Sequence, residues 1–140
     1  MNDQPDPRHV VDELQEELRD LLALAVFGDH VRLVLTGADR AELADWLADA
    51  SPRWRALADQ VAGQLVALGV PPDGRIRSLA KDISLNWVPE GWLAADEARR
   101  LVHQRVSSAA SRARHRRSQA LDPAVVLLLE TVNAGLQSMP

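Results

Sequence analysis

Apolar positions recur along most of this chain at intervals of three and four, the spacing of one helix face. Val11, Leu14, Leu18, Leu21 and Ala25 make the first such stripe, and Val10, Leu22, Val26, Leu33 and Leu35 widen it. The stripe predicts a helix of about 28 residues from Arg8, closed by Thr36-Gly37. Arg32 continues its inner track, so an arginine on a buried line is expected to need a partner. A second stripe runs through Leu43, Trp46, Leu47 and Ala50, after Asp39 and Glu42 arranged as a variant capping box. A third runs through Trp54, Leu57, Val61, Leu65 and Leu68, opened by Ser51-Pro52 as N-cap and first-turn proline. These two segments are either two helices meeting at Pro52 or one helix bent there.

Gly69 and Pro71-Pro72-Asp73-Gly74 stop that region, and residues 69–92 form a long connection. Its centre, RIRSLAKDIS, predicts a short helix burying Ile76, Leu79 and Ile83, with Trp87 and Trp92 pinning the crossover to the core. Ala98, Leu101, Val102, Val106, Ala109 and Ala113 mark the next helix, which starts near Leu93 or Ala94 and ends in SRARHRR, cations suited to a helix C-terminus. Asp122-Pro123 repeats the cap-plus-proline start for a short last helix over 125–136. Its Val-Val-Leu-Leu-Leu run predicts burial on more than one side, an argument for self-association. No period-two strand pattern occurs, so the expectation is an all-α four-helix bundle with a short helix in the long crossover between helices 2 and 3. One long crossover is ferritin-like connectivity. Residues 1–7 read as a flexible tail and 8–138 as a single domain.

Composition narrows the chemistry. The 140 residues fit one domain. With no cysteine there is no disulfide and no thiolate metal site. No apolar run reaches the ~20 residues of a membrane span, and the acidic N-terminus is unlike a leader, so a cytoplasmic protein is expected. The single lysine against fifteen arginines reads as GC-rich coding and points to a bacterial source. Residues 1–50 carry twelve acids against four bases, whereas residues 93–140 carry four against seven. The basic surplus centres on Arg112, Arg114, Arg116 and Arg117, candidates for weak, non-specific DNA contact or for dipole capping.

The segments QVAGQLVALGVPPDGRIRSLAKDI and VPEGWLAADEARRLV, with the connectivity above, resemble the Dps mini-ferritins, the starvation-induced DNA-protecting proteins. That resemblance implies a dodecameric shell. It also implies a di-iron ferroxidase centre shared across a two-fold axis, built from His-Trp-Asn-x-x-Gly, His-x-x-x-Asp and Asp-x-x-x-Glu-Arg motifs. Aligned without gaps between Gly37 and Leu68-Gly69, the five ligand positions fall on Arg32, Ala44, Ala48, Asp59 and Gly63. Only Asp59 keeps a ligand type, and one carboxylate cannot hold two metal ions. His30 lies two residues before Arg32, and Asp45 and Asp49 lie one residue after Ala44 and Ala48, but a one-residue step turns a side chain by about 100°.

The resemblance therefore implies a shell-forming homo-oligomer that has lost ferroxidase activity and needs no cofactor. An iron-storing protein with a rearranged metal site is the second reading. A nucleoid DNA binder is the third. The acidic N-terminus and the QSMP end offer no lysine-rich DNA tail. With the metal gone, Arg32 of one subunit is expected to pair with Asp59 of its two-fold neighbour.

Overall fold

The computed structural model describes residues 7–79 and 90–136. Its elements, in order, are α1 (Pro7–Val34), β1 (Leu35–Thr36), α2 (Arg40–Ala67), α3 (Ile76–Leu79), β2 (Leu93–Ala94), α4 (Ala95–Gln119) and α5 (Pro123–Gly135). Helix α1 packs most extensively on α2 and also on α4, while α5 closes the bundle against α4 and α2. The long crossover lies between α2 and α4, with α3 in it resting on α1. This is the ferritin-like four-helix arrangement expected from the stripes.

The core follows the apolar periodicity. Leu14, Leu18, Leu21, Leu24, Phe27 and Val31 of α1 meet Leu43, Leu47, Trp54, Val61 and Leu65 of α2. Leu101, Val102, Val106 and Ala113 of α4 and Val125, Leu129 and Val132 of α5 complete it. Each large side chain withdrawn from water contributes roughly 1.5–3 kcal/mol before the entropy of ordering it is counted. Trp46 and Trp54 meet edge to face at 5.9 Å, and the Arg105 guanidinium lies 4.6 Å above the Phe27 ring, joining α4 to α1.

The inner track of α1 passes through Val31 and leads on to Leu35 of β1, not through Arg32 and Leu33. Arg32 is exposed, and so is Leu33, at 68%. A seven-residue track drifts about 20° per repeat on a 3.6-residue helix, so by the last turn it has rotated off the core.

Helix α2 is continuous, with Pro52 inside it. Ser51 is therefore no N-cap. It is buried beside Gly28, where a methyl group would lie 2.7 Å from Ser51 Oγ and 3.0 Å from the Trp54 ring. The glycine lets α1 and α2 approach closely at the level of the proline. Asp39 stands at the N-cap of α2 but its side chain makes no capping bond. The C-terminus closes through a Schellman pair, Gly69 N–H to Val66 O at 2.9 Å and Val70 N–H to Leu65 O at 3.0 Å. Gly69 takes φ +79°, where a side chain would be strained.

Two further expectations change. Leu35 and Thr36 pair in parallel with Leu93 and Ala94, a two-residue ladder that the stripes do not announce. Trp92 is 77% exposed and does not pin the crossover. Leu79 is buried as expected, whereas Ile83 and Trp87 lie outside the described residues. The crossover is instead held by Gln15. Its Nε2 donates to Pro71 O at 3.1 Å and its Oε1 accepts from Asp73 N–H at 2.9 Å.

At α5, Asp122 Oδ1 accepts from Ala124 N–H at 2.8 Å, the cap that Asp-Pro predicts. Val125, Leu129 and Val132 face inward while Leu127 is 65% exposed, so within one chain this helix is buried on one side. No helix among the described residues is long and apolar enough to cross a membrane.

Candidate functional site

All five positions that the resemblance assigns to the ferroxidase centre lie on α1 and α2. Arg32 is in the last turn of α1; Ala44, Ala48, Asp59 and Gly63 lie along α2. Ala44 is half-buried and the other four are exposed. Neither Arg32 nor Asp59 has a hydrogen bond or ion pair among the described residues. His30, Asp45 and Asp49 are exposed too. Among the described residues, no three or more His, Cys, Asp or Glu side chains gather closely enough to hold a metal ion. Arg32 cannot ligate, because its guanidinium stays protonated. The residues at these positions do not fit a di-iron centre.

One ion pair does join the two helices on this face. Arg55 Nη2 donates to Asp29 Oδ2 at 2.5 Å, and both side chains remain partly exposed. Asp29 precedes Arg32 by three residues on α1, and Arg55 precedes Asp59 by four on α2. Helical spacing thus places Arg32 and Asp59 one turn beyond the central pair, each toward the C-terminus of its own helix. Five residues join α1 to α2, and Gln15 near the start of α1 bonds to Pro71 just past the end of α2, so the helices run antiparallel and the two outer charges lie on opposite sides of the central pair.

The candidate DNA cluster does not form one surface. Arg116 is buried, 8% exposed, and turned toward α1. Its Nη1 hydrogen-bonds to Glu17 Oε2 and lies 2.7 Å from Asp20 Oδ2, while Nη2 is 3.4 Å from Glu16 and Nε 3.7 Å from Glu13. Arg112 Nε donates to Asp20 at 2.9 Å. Arg117 Nη2 donates to Glu130 of α5 at 2.6 Å. Of the four arginines, only Arg114 is exposed without a partner among the described residues. Residues 112 and 116 share a face because they are four apart, and that face meets the acidic side of α1.

Stripe reading passed over this inter-helix charge cluster. The available signal was Glu17, three residues after Leu14 and four before Leu21, on the buried line. Glu17 is 1% exposed, and its Oε1 has no hydrogen-bond partner among the described residues. Burial raises its pKa above the ordinary 4.5, against the attraction and hydrogen bond of Arg116. For Arg116, burial acts to lower the pKa but is outweighed by Asp20 and Glu17, which push it up. Asp73 is held well below the usual carboxylate range by its bonds from the Arg75 side chain, Ser78 and the Arg75 backbone. An open cleft beside the cluster is lined by Glu16, Asp20 and Asp73 and by Arg19, Arg75 and Arg116. Three acids against three bases give it no preferred ligand charge.

With its four helices and single long crossover, this chain has the Dps-like, ferritin-like four-helix bundle fold, and solved structures agree. It is similar to Dps92 from Deinococcus radiodurans, with a TM-score of 0.84 at 22% identity over 93% of this chain and 80% of that one. It is also similar to a C-terminal deletion mutant of Mycobacterium smegmatis Dps, with a TM-score of 0.86 at 19% identity over 94% and 92%. A third match is the bacterioferritin-related dodecameric thioferritin from Bacteroides fragilis, TM-score 0.84 at 15% identity over 94% and 79%. No protein-family model and no curated protein matches the sequence.

Proposed function

We propose that this chain is the subunit of a Dps-like shell whose two-fold ferroxidase positions no longer take iron, so that its role is structural or protective. The observation that carries this reading is the residue set Arg32, Ala44, Ala48, Asp59 and Gly63, which offers one carboxylate and one fixed cation. Ferrous ions need several oxygen or imidazole donors, and a permanent positive charge among them repels the metal. Assembly is supported by the fold, by the dodecameric state of the similar thioferritin, and by exposed apolar side chains such as Leu33, Val66, Leu121 and Leu127. We place the shell in the cytoplasm, where a cysteine-free chain loses nothing to reducing conditions.

Two measurements test the reading. Light scattering at micromolar concentration should give a particle several times the 15.4 kDa chain mass. Aerobic oxidation of ferrous salt should run no faster with the protein than without it. A monomer would overturn the shell. Saturable acceleration lost in Asp59→Ala would overturn the loss of chemistry in favour of a rearranged iron site.

A further inference from the structure

Glu13, Glu16, Glu17 and Asp20 stand on one face of α1 at three- and four-residue spacing. The cations that meet them come from α4, where Arg116 lies within 3.7 Å of all four and Arg112 bonds to Asp20. Four acids against two bases leave this seam short of positive charge. The shortage has a definite place. Glu13 Oε2 and Glu17 Oε1 are buried and accept no hydrogen bond among the described residues. The other oxygen of Glu13 lies 3.3 Å from His9 Nε2, and the other oxygen of Glu17 takes the bond from Arg116.

Glu13 and Glu17 are four residues apart, so their side chains are neighbours on the helix, and both lie against the same guanidinium. One proton satisfies two such acceptors together, because it makes one carboxyl a donor and leaves the other its acceptor. Repulsion between adjacent carboxylates favours that uptake, and burial already pushes the Glu17 carboxyl above its ordinary 4.5.

We propose that Glu13 and Glu17 hold one proton between them, taken from solvent, and that this proton latches α4 to α1. The surrounding charges leave it in place. Glu16 is half exposed, and Asp20 is shared by both arginines. His115 lies on the α4 side, beside Arg112, in the cleft that Glu13 and Glu16 line. On the crossover side, Arg19, Asp73 and Arg75 line the cleft beside Arg116, and Asp73 is occupied by Arg75. Toward α5, Asp122 lies beyond Glu13 but caps its own helix. When rising pH removes the proton, two buried carboxylates compete for one guanidinium and the last turns of α4 loosen. The device does not depend on whether the chain assembles.

Infrared spectroscopy of the full chain tests the proton, because a protonated carboxyl has a C=O stretch that a carboxylate lacks. The wild type should keep that band at a pH where ordinary carboxyls, which titrate near about 4, have lost it. In Glu13→Gln the new amide donates to Glu17 Oε1, so the band's midpoint should fall by at least about one pH unit, a tenfold loss of proton affinity. Glu17→Gln should lose the band and Glu16→Gln should keep it, each at wild-type helix content. Amide hydrogen exchange around Arg112 and Arg116 should quicken, beyond its intrinsic pH dependence, as the wild-type band disappears. A wild type without the band above about pH 5 overturns the proton. A midpoint unchanged in Glu13→Gln assigns the proton to Glu17 alone and overturns the sharing. Exchange that does not follow the band overturns the latch. Should Glu17→Gln fail to fold, the wild type and Glu13→Gln decide.

Discussion

Arg116 of α4 hydrogen-bonds to Glu17 of α1 across 99 residues of sequence, and both side chains are buried. The pair fastens the second half of the bundle to the first through charge instead of apolar contact. Removing two ions from water costs several kcal/mol each, and the attraction between them offsets that cost only when the geometry is satisfied. Arg116 is well satisfied, with four carboxylates within 3.7 Å. Glu17 keeps an oxygen with no partner among the described residues.

This unequal satisfaction separates single from double substitution. Arg116→Met strands Glu17 in the core and is expected to cost about 3–5 kcal/mol in urea unfolding. Glu17→Met with Arg116→Met replaces both ions by apolar stems of similar length and is expected to restore most of that loss. A double variant no more stable than Arg116→Met alone would mean that the other carboxylates, not Glu17, set the cost.

The raised pKa of Glu17 sets a pH dependence with a definite sign. Below its ordinary value of 4.5 the carboxyl is neutral in folded and unfolded chains, and the stability contributed by its burial is fully present. As pH rises through the folded pKa, the buried group must ionise and that stability is lost. Glu17→Gln has no proton to lose. Its stability relative to wild type should therefore grow from pH 4 toward pH 8, measured as urea midpoints across that range. A difference that shrinks with pH would mean that Arg116 holds Glu17 ionised.

The crossing of α1 and α2 at Gly28 predicts an overpacking effect. In Gly28→Ala the new methyl group meets Ser51 Oγ at 2.7 Å and the Trp54 ring at 3.0 Å, which is expected to cost about 1–3 kcal/mol. Ser51→Ala removes the closer atom, which itself has no hydrogen-bond partner among the described residues. The double variant should be more stable than Gly28→Ala alone, a coupling read from thermal melts of the four-member cycle.

Asp122 caps α5 through Ala124 and Val125, so Asp122→Ala should cost about 1 kcal/mol and Asp122→Asn little. Equal losses in the two variants, seen in melting temperature, would shift the effect from the hydrogen bond to the charge.

The stripes of Leu, Val and Ala determined the four helices, because each apolar face has no other way to leave water. The caps at Asp122-Pro123 and Leu68-Gly69 set two of the helix ends by local hydrogen bonding alone. The residues at the positions that the resemblance assigns to a ferroxidase centre were equally plain, since whether a side chain carries a donor atom is a property of the side chain itself. Tertiary structure decided what local rules leave open. Pro52 sits within one continuous helix, because packing against α1 holds α2 together across the bond that proline cannot make. Arg32 faces solvent, because a seven-residue track rotates off the core over three repeats. The basic run near the end of α4 was dispersed: Arg116 went to α1 and Arg117 to α5, each drawn to carboxylates distant in sequence. Which cation meets which anion depends on how the helices cross, and that crossing is set by side-chain shapes such as Gly28 against Ser51 and Trp54.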